Sequence, residues 1–185
     1  MKKILFLFFL MIMFIANAQV TFKVMSYNIR LDVKSDGENW WELRKPRVAS
    51  LMNFYAADFI GCQEVQHHQL TYLQEQLKSY NYIGIGRDDG KEAGEYSCIF
   101  YNKEKFSVVK QSTFWLSPTP DSVSFGWNAA CRRVCTYGLF QHKASKKYLW
   151  VFNTHLDHLG DTARIESVKL ILQKCLRVET RKEPC

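Results

Sequence analysis

Residues 151–158, Val-Phe-Asn-Thr-His-Leu-Asp-His, constrain the fold of this chain more than any other stretch. Side chains of an extended strand alternate between faces, so Phe152, Thr154 and Leu156 fall on one side and Asn153, His155 and Asp157 on the other. One face can bury while the other carries polar chemistry. The preceding Lys147-Tyr-Leu-Trp-Val is apolar and aromatic, and Gly160-Asp161 punctuates before a helical pattern opens at Thr162. A histidine with polar partners is therefore expected at the end of a buried strand, where layered α/β proteins build their sites.

The rest of the chain supplies the layers. Residues 21–30 alternate as a strand whose far end presents Asn28, and residues 32–39 read as a loop. Residues 41–55 place Trp41, Leu43, Val48, Leu51, Met52 and Tyr55 near helical spacing, with Pro46 allowed only near the first turn. Residues 58–65 (DFIGCQEV) read as a short buried strand ending in Gln63-Glu64. A second helix over 69–77 carries Leu70, Leu73 and Leu77 on one stripe. From Tyr80 strands dominate, over 81–86, 95–101, 106–116 and 134–142. A polar loop at 87–94 and a loop with Pro118 and Pro120, running through Ser124-Phe-Gly-Trp127, separate them. Residues 162–176 are amphipathic, with Ile165, Val168, Ile171, Leu172 and Cys175 expected to face inward. Helices among the early strands and antiparallel-looking strands later predict one layered α/β sandwich.

Residues 1–18 stand apart. Lys2-Lys3, an apolar run from Ile4 to Ile15 and Ala16-Asn17-Ala18 have the form of an export signal cut after Ala18. The run is short for a bilayer span, so a retained anchor is the weaker alternative. The mature chain is expected to be periplasmic or secreted, free of transmembrane segments and, if soluble, monomeric. With Lys2 and Lys3 set aside, 23 basic residues face 18 acidic ones, a net of +5. That excess favours phosphate-bearing partners mildly, and is too scattered to indicate nucleic acid. Cys131 and Cys135 lie four apart on one predicted strand, too distant to bridge at about 3.3 Å per residue. Cys62 and Cys98 fit apolar strand patterns as small buried hydrophobes.

Polar residues gather at the predicted strand ends: Asn28, Glu64, Glu95 and His155, with Arg87 and Arg133 nearby. A carboxylate such as Glu64 is a hard oxygen ligand suited to Mg²⁺ or Mn²⁺, which keep waters and phosphate oxygens as further ligands. A histidine moves protons near neutral pH, and guanidinium and amide donors hold phosphate oxygens. Together these are the parts of a metal-assisted phosphoesterase. Asp157 and His158 either extend that site or form a loop-facing polar pair. His67 and His68 open a helix and face solvent on the simplest reading. Arg44, Lys45 and Arg47 read as a wet helix face.

The motifs VMSYNIR (24–30), DFIGCQEV (58–65), GRDDG (86–90), Gly94-Glu95 through Phe100-Tyr101, RVCTY (133–137) and FNTHLD (152–157) resemble the endonuclease/exonuclease/phosphatase superfamily, in order. The resemblance implies a four-layer αββα sandwich of two mixed, largely antiparallel sheets, the second incomplete here. It implies Mg²⁺ or Mn²⁺ held by Glu64 with help from Asn28. His155 would be the catalytic acid or base, paired with Glu95 and flanked by Asn153. Arg133, Arg87 and Asn28 would contact the phosphate of a nucleic acid, phospholipid headgroup or sugar phosphate. The family's later Gly-Asp-Phe-Asn and Ser-Asp-His motifs are absent. Residues 19–176 thus read as the N-terminal part of such a domain, and 177–185 as a polar tail. Two expectations follow: weak or no hydrolysis by this chain, and poor solubility from open sheet edges. The alternative is a non-catalytic module binding a phosphorylated ligand.

Overall fold

A computed structural model describes residues 21–180; the expected export signal and the last five residues of the expected tail lie outside them. The strands are β1 (Val24–Asn28), β2 (Phe59–Gln63), β3 (Tyr80–Ile83), β4 (Ile99–Asn102), β5 (Phe106–Trp115), β6 (Val134–His142) and β7 (Tyr148–Thr154). The α-helices are α1 (Trp41–Tyr55), α2 (His67–Gln76) and α3 (Asp161–Thr180). β1 and β2 pair in parallel, which requires a crossover, and α1 supplies it. The first sheet has the order β1-β2-β4-β3; the second is the antiparallel run β5-β6-β7.

Alternation along β2 shows how the layers separate. Ile60 and Cys62 join a core with Met52 of α1 and Leu70 and Leu73 of α2. Phe59 points the other way, between the sheets, where its ring lies 4.6 Å from Phe106 and 4.9 Å from Phe140. Burying each such ring contributes about 1.5–3 kcal/mol. A third core, with Phe114, Cys135, Phe152, Leu170 and Ile171, lies between the second sheet and α3. Three cores separate four layers, and the sandwich expected from the residue pattern is the one observed. No helix among the described residues is long and apolar enough to cross a membrane.

Several local expectations require correction. On α3 the inward residues are Ala163, Ser167 and Leu170, with Ile171; Ile165, Val168 and Leu172 are exposed. The helix rotates because Arg164 and Ala163 anchor its first turn, through Arg164 to the Asp157 carbonyl and Ala163 N–H to Asn128. α3 also continues to Thr180, into the stretch expected to be a polar tail. On α1, Leu43, Leu51 and Tyr55 are exposed while Ala49 is buried, and Pro46 lies within the helix rather than in its first turn. The 95–101 strand shrinks to β4 plus a lone Val65–Tyr96 bridge. Both faces of β7 are covered: Leu149 and Val151 pack between the sheets, and Phe152 packs beneath α3.

Candidate active site

The site begins with a clamp between the sheets. Asn153 of β7 is buried, and its Oδ1 accepts from Gln63 Nε2 at 2.8 Å. Its Nδ2 donates to the carbonyls of Cys62 and Cys98, each at 2.8 Å. Gly61 makes room for this: a Cβ there would lie 2.7 Å from Asn153 Oδ1. Because Gln63 and Asn153 are bonded, Glu64 and His155, which follow them by one and two residues, emerge at one rim. β1 joins the same rim, since Asn28 is in register with Gln63.

Glu64 takes a left-handed backbone conformation, φ 59°, a strained state for a residue with a side chain. Its Oε1 accepts from Asn28 Nδ2 at 2.7 Å and its Oε2 from the Leu31 N–H at 3.2 Å. Both donors are neutral, and among the described residues no cationic side chain lies at ion-pairing distance from this carboxylate. Arg44 holds the chain that follows Asn28, donating to the carbonyls of Ile29 and Arg30 while lying over the Trp41 ring. It is therefore a tether and not a wet helix face; its partial burial lowers its pKa.

A second, more buried cluster surrounds Arg133, whose side chain is 6% exposed. Its Nε donates to Asp157 Oδ2 at 3.3 Å, and its two terminal nitrogens face His155 Nδ1 at 3.2 Å and His158 Nδ1 at 3.0 Å. A guanidinium only donates, so both Nδ1 atoms must accept. In neutral His155 the proton then sits on Nε2, which is left to donate. Burial lowers the His155 pKa and the Arg133 charge lowers it further, against opposing pulls from Glu64 and Glu95. The ring is thus neutral near pH 7. Burial raises the pKa of Asp157, but the N–H groups of Gly160, Leu159 and Ala130, with Arg133, outweigh it and hold the carboxyl well below the usual range.

Arg87 and Glu95 form a two-pronged ion pair, at 2.7 and 3.0 Å. Arg87 Nε is shielded from solvent and has no hydrogen-bond partner among the described residues. Cys131, Asp157 and His158 bring one S, one O and one N atom within 4.8 Å of one another. Arg133 already lies against the last two, so its fixed positive charge opposes a cation there.

No family model matches the chain. It is similar to the endonuclease/exonuclease/phosphatase from Bacteroides vulgatus, at 42% identity and a TM-score of 0.85, over 86% of this chain and 62% of that one. It is likewise similar to a mannosyl-6-phosphatase of Bacteroides thetaiotaomicron VPI-5482, at 41% identity and a TM-score of 0.85, over 88% of this chain and 62% of that one. An uncharacterised protein of Acanthamoeba polyphaga mimivirus is 30% identical over 124 residues, 63% of this chain and 46% of that protein. The chain belongs to the endonuclease/exonuclease/phosphatase superfamily. It spans about three fifths of the two solved relatives and about half of the viral one.

Within that superfamily frame, the structure brings Asn28, Glu64, Arg87, Glu95 and His155 to one rim and reassigns three expected contacts. Glu95 pairs with Arg87 instead of His155, whose Nδ1 faces Arg133. Arg133 lies beneath the histidines, its donors directed at Asp157, His155 and His158 rather than at an open phosphate position. Asn153 points between the sheets, where its amide is occupied as a clamp and not as a catalytic group. Asp157, left open in the sequence, is the buried counter-charge of Arg133. Its position two residues after His155 on one strand face was the available signal; that the face turns toward Arg133 was not visible.

Proposed function

We propose that this protein carries the site of an exported divalent-metal-dependent phosphoester hydrolase for a sugar phosphate, with weak or no turnover in this chain. The observation that carries the reading is the convergence of Glu64 and His155 at one rim through the Gln63–Asn153 bond. Beside them the Arg87 guanidinium, held by Glu95 through its terminal nitrogens, adds positive charge that attracts a phosphate. Glu64 fits Mg²⁺ or Mn²⁺: a partly exposed carboxylate facing only neutral donors, next to the Asn28 amide, offers the few hard oxygens these ions take from protein. A cation there would neutralise charge on the phosphoryl oxygens. His155 donates its Nε2 proton toward a phosphate or leaving-group oxygen, with Arg133 fixing its tautomer. Glu95 holds Arg87 in place. The similarity to a mannosyl-6-phosphatase favours a sugar phosphate over a nucleic acid or phospholipid headgroup. The export signal pattern of residues 1–18 supports a substrate outside the cytoplasm.

Titration of the purified chain with inorganic phosphate, with and without Mg²⁺, tests the site, and phosphate release from mannose 6-phosphate tests the chemistry. Phosphate binding that needs Mg²⁺ and is lost in both Glu64→Gln and His155→Ala is the expected result. Absence of phosphate binding under either condition overturns the reading; binding without turnover leaves this chain a phosphate-binding scaffold.

A further inference from the structure

We infer that Phe125 and Arg132 form a subsite for the sugar ring attached to the phosphate, an inference resting on the reading above. The connection from β5 to β6 has 18 residues, where adjacent antiparallel strands need about two to five. Such excess in a packed domain marks a functional loop. The loop is anchored and not loose. Trp115 N–H bonds the Pro120 carbonyl at 2.9 Å, Ser117 and Ser124 hydroxyls meet at 2.6 Å, and Ala130 N–H bonds Asp157 at 3.1 Å. This ordered frame holds Phe125 in water at 52% exposure. A large aromatic kept exposed by a rigid backbone is a contact surface in waiting.

Arg132 completes it. Its guanidinium carbon lies 4.6 Å from the Phe125 ring centroid, and one terminal nitrogen is 3.4 Å from Asp88. The Arg132 side chain remains 33% exposed, with its terminal nitrogens at the surface edge of the ring. Asp88 directly follows Arg87 and Arg132 directly precedes Arg133, the two arginines whose charges act on His155, so the Arg132–Asp88 contact lies one residue along the chain from each. The Phe125 face turned away from the guanidinium, edged by the partly exposed arginine, suits a pyranose. The sugar's polarised C–H groups pack on that open face, and its hydroxyls accept from the arginine's terminal nitrogens. A nucleobase uses an open aromatic face too, but needs donors and acceptors matched to its edge, and here donors predominate.

Calorimetric titrations of the full chain with Mg²⁺ present would compare inorganic phosphate, mannose 6-phosphate, adenosine 5′-monophosphate and free mannose. The expected result is tighter binding of mannose 6-phosphate than of phosphate or the nucleotide. Phe125→Ala should weaken the sugar phosphate about three- to tenfold, the size of one aromatic contact, and leave inorganic phosphate unchanged. Phe125→Trp should retain the preference, and Arg132→Lys should lose part of it. Equal affinity for phosphate and mannose 6-phosphate overturns the subsite while leaving the phosphate site standing. Nucleotide preference, or a Phe125→Ala chain that loses both ligands, overturns it as well. Failure to bind phosphate at all removes the functional reading itself, and the subsite with it.

Discussion

The two halves of the candidate site differ in how their charges are satisfied. Around Arg133 every charge has a partner: the guanidinium meets Asp157 and two imidazoles, and Asp157 takes three backbone N–H groups as well. Around Glu64 the carboxylate meets only neutral donors among the described residues, and the backbone beneath it is strained. The first half is a finished, buried construction whose removal should cost stability. The second is held open at some expense of stability, and its removal should cost binding. A site can thus be divided into parts that hold its shape and parts that await a ligand by asking where charge remains unpaired.

The largest effect should come from Asp157→Ala, which leaves Arg133 buried without its counter-charge. A loss of about 3–5 kcal/mol in urea unfolding is expected. A loss under 1 kcal/mol would place Arg133 in contact with solvent and dissolve the contrast. Next is Asn153→Ala, which strips the Cys62 and Cys98 carbonyls of their shared donor and breaks the bond to Gln63. The Cys98 carbonyl keeps the Cys62 N–H, so one buried acceptor, the Cys62 carbonyl, is left unmet, at about 1–3 kcal/mol, and the variant should also lose Mg²⁺-dependent phosphate binding as Glu64 and His155 drift apart.

Acid sharpens the comparison without mutation. The Asp157 carboxyl titrates lower in the folded chain than the value of about 3.9 it has when unfolded. Its contribution is therefore fully present above that unfolded value and is lost as pH falls toward the folded one. Thermal unfolding followed from pH 6 to pH 3 should show this decline in the parent chain and a flatter acid limb in Asp157→Ala. The smallest change in stability is expected for Glu64→Gln, within about 1 kcal/mol as for a partly exposed substitution. Any rise in melting temperature that Mg²⁺ gives the parent should vanish in this variant. A Glu64→Gln chain that still responds to Mg²⁺ would move the cation elsewhere, and Cys131, Asp157 and His158 would then need testing.

Much of the molecule was legible in residue order because its cues are local. Period-two alternation marked β5, β6 and β7, helical spacing marked α1 to its observed bounds, and the polar residues at strand ends marked Asn28, Glu64 and His155. The α3 face was misread because its outer stripe, Ile165, Val168 and Leu172, is as apolar as its inner one. Hydropathy gives the period of a helix but not its rotation when both sides are greasy.

What sequence alone determined is the set of chemical groups and their placement at the ends of strands, since strand and helix periods are properties of a chain with its neighbours in sequence. Only the tertiary structure decided which groups meet. Whether Glu95 turns to His155 or Arg87, and whether Asn153 serves a ligand or ties two sheets, depends on side chains 8 to 91 positions apart packing into one volume. Desolvation and charge pairing act over ångströms in space, and no periodicity along the chain encodes them.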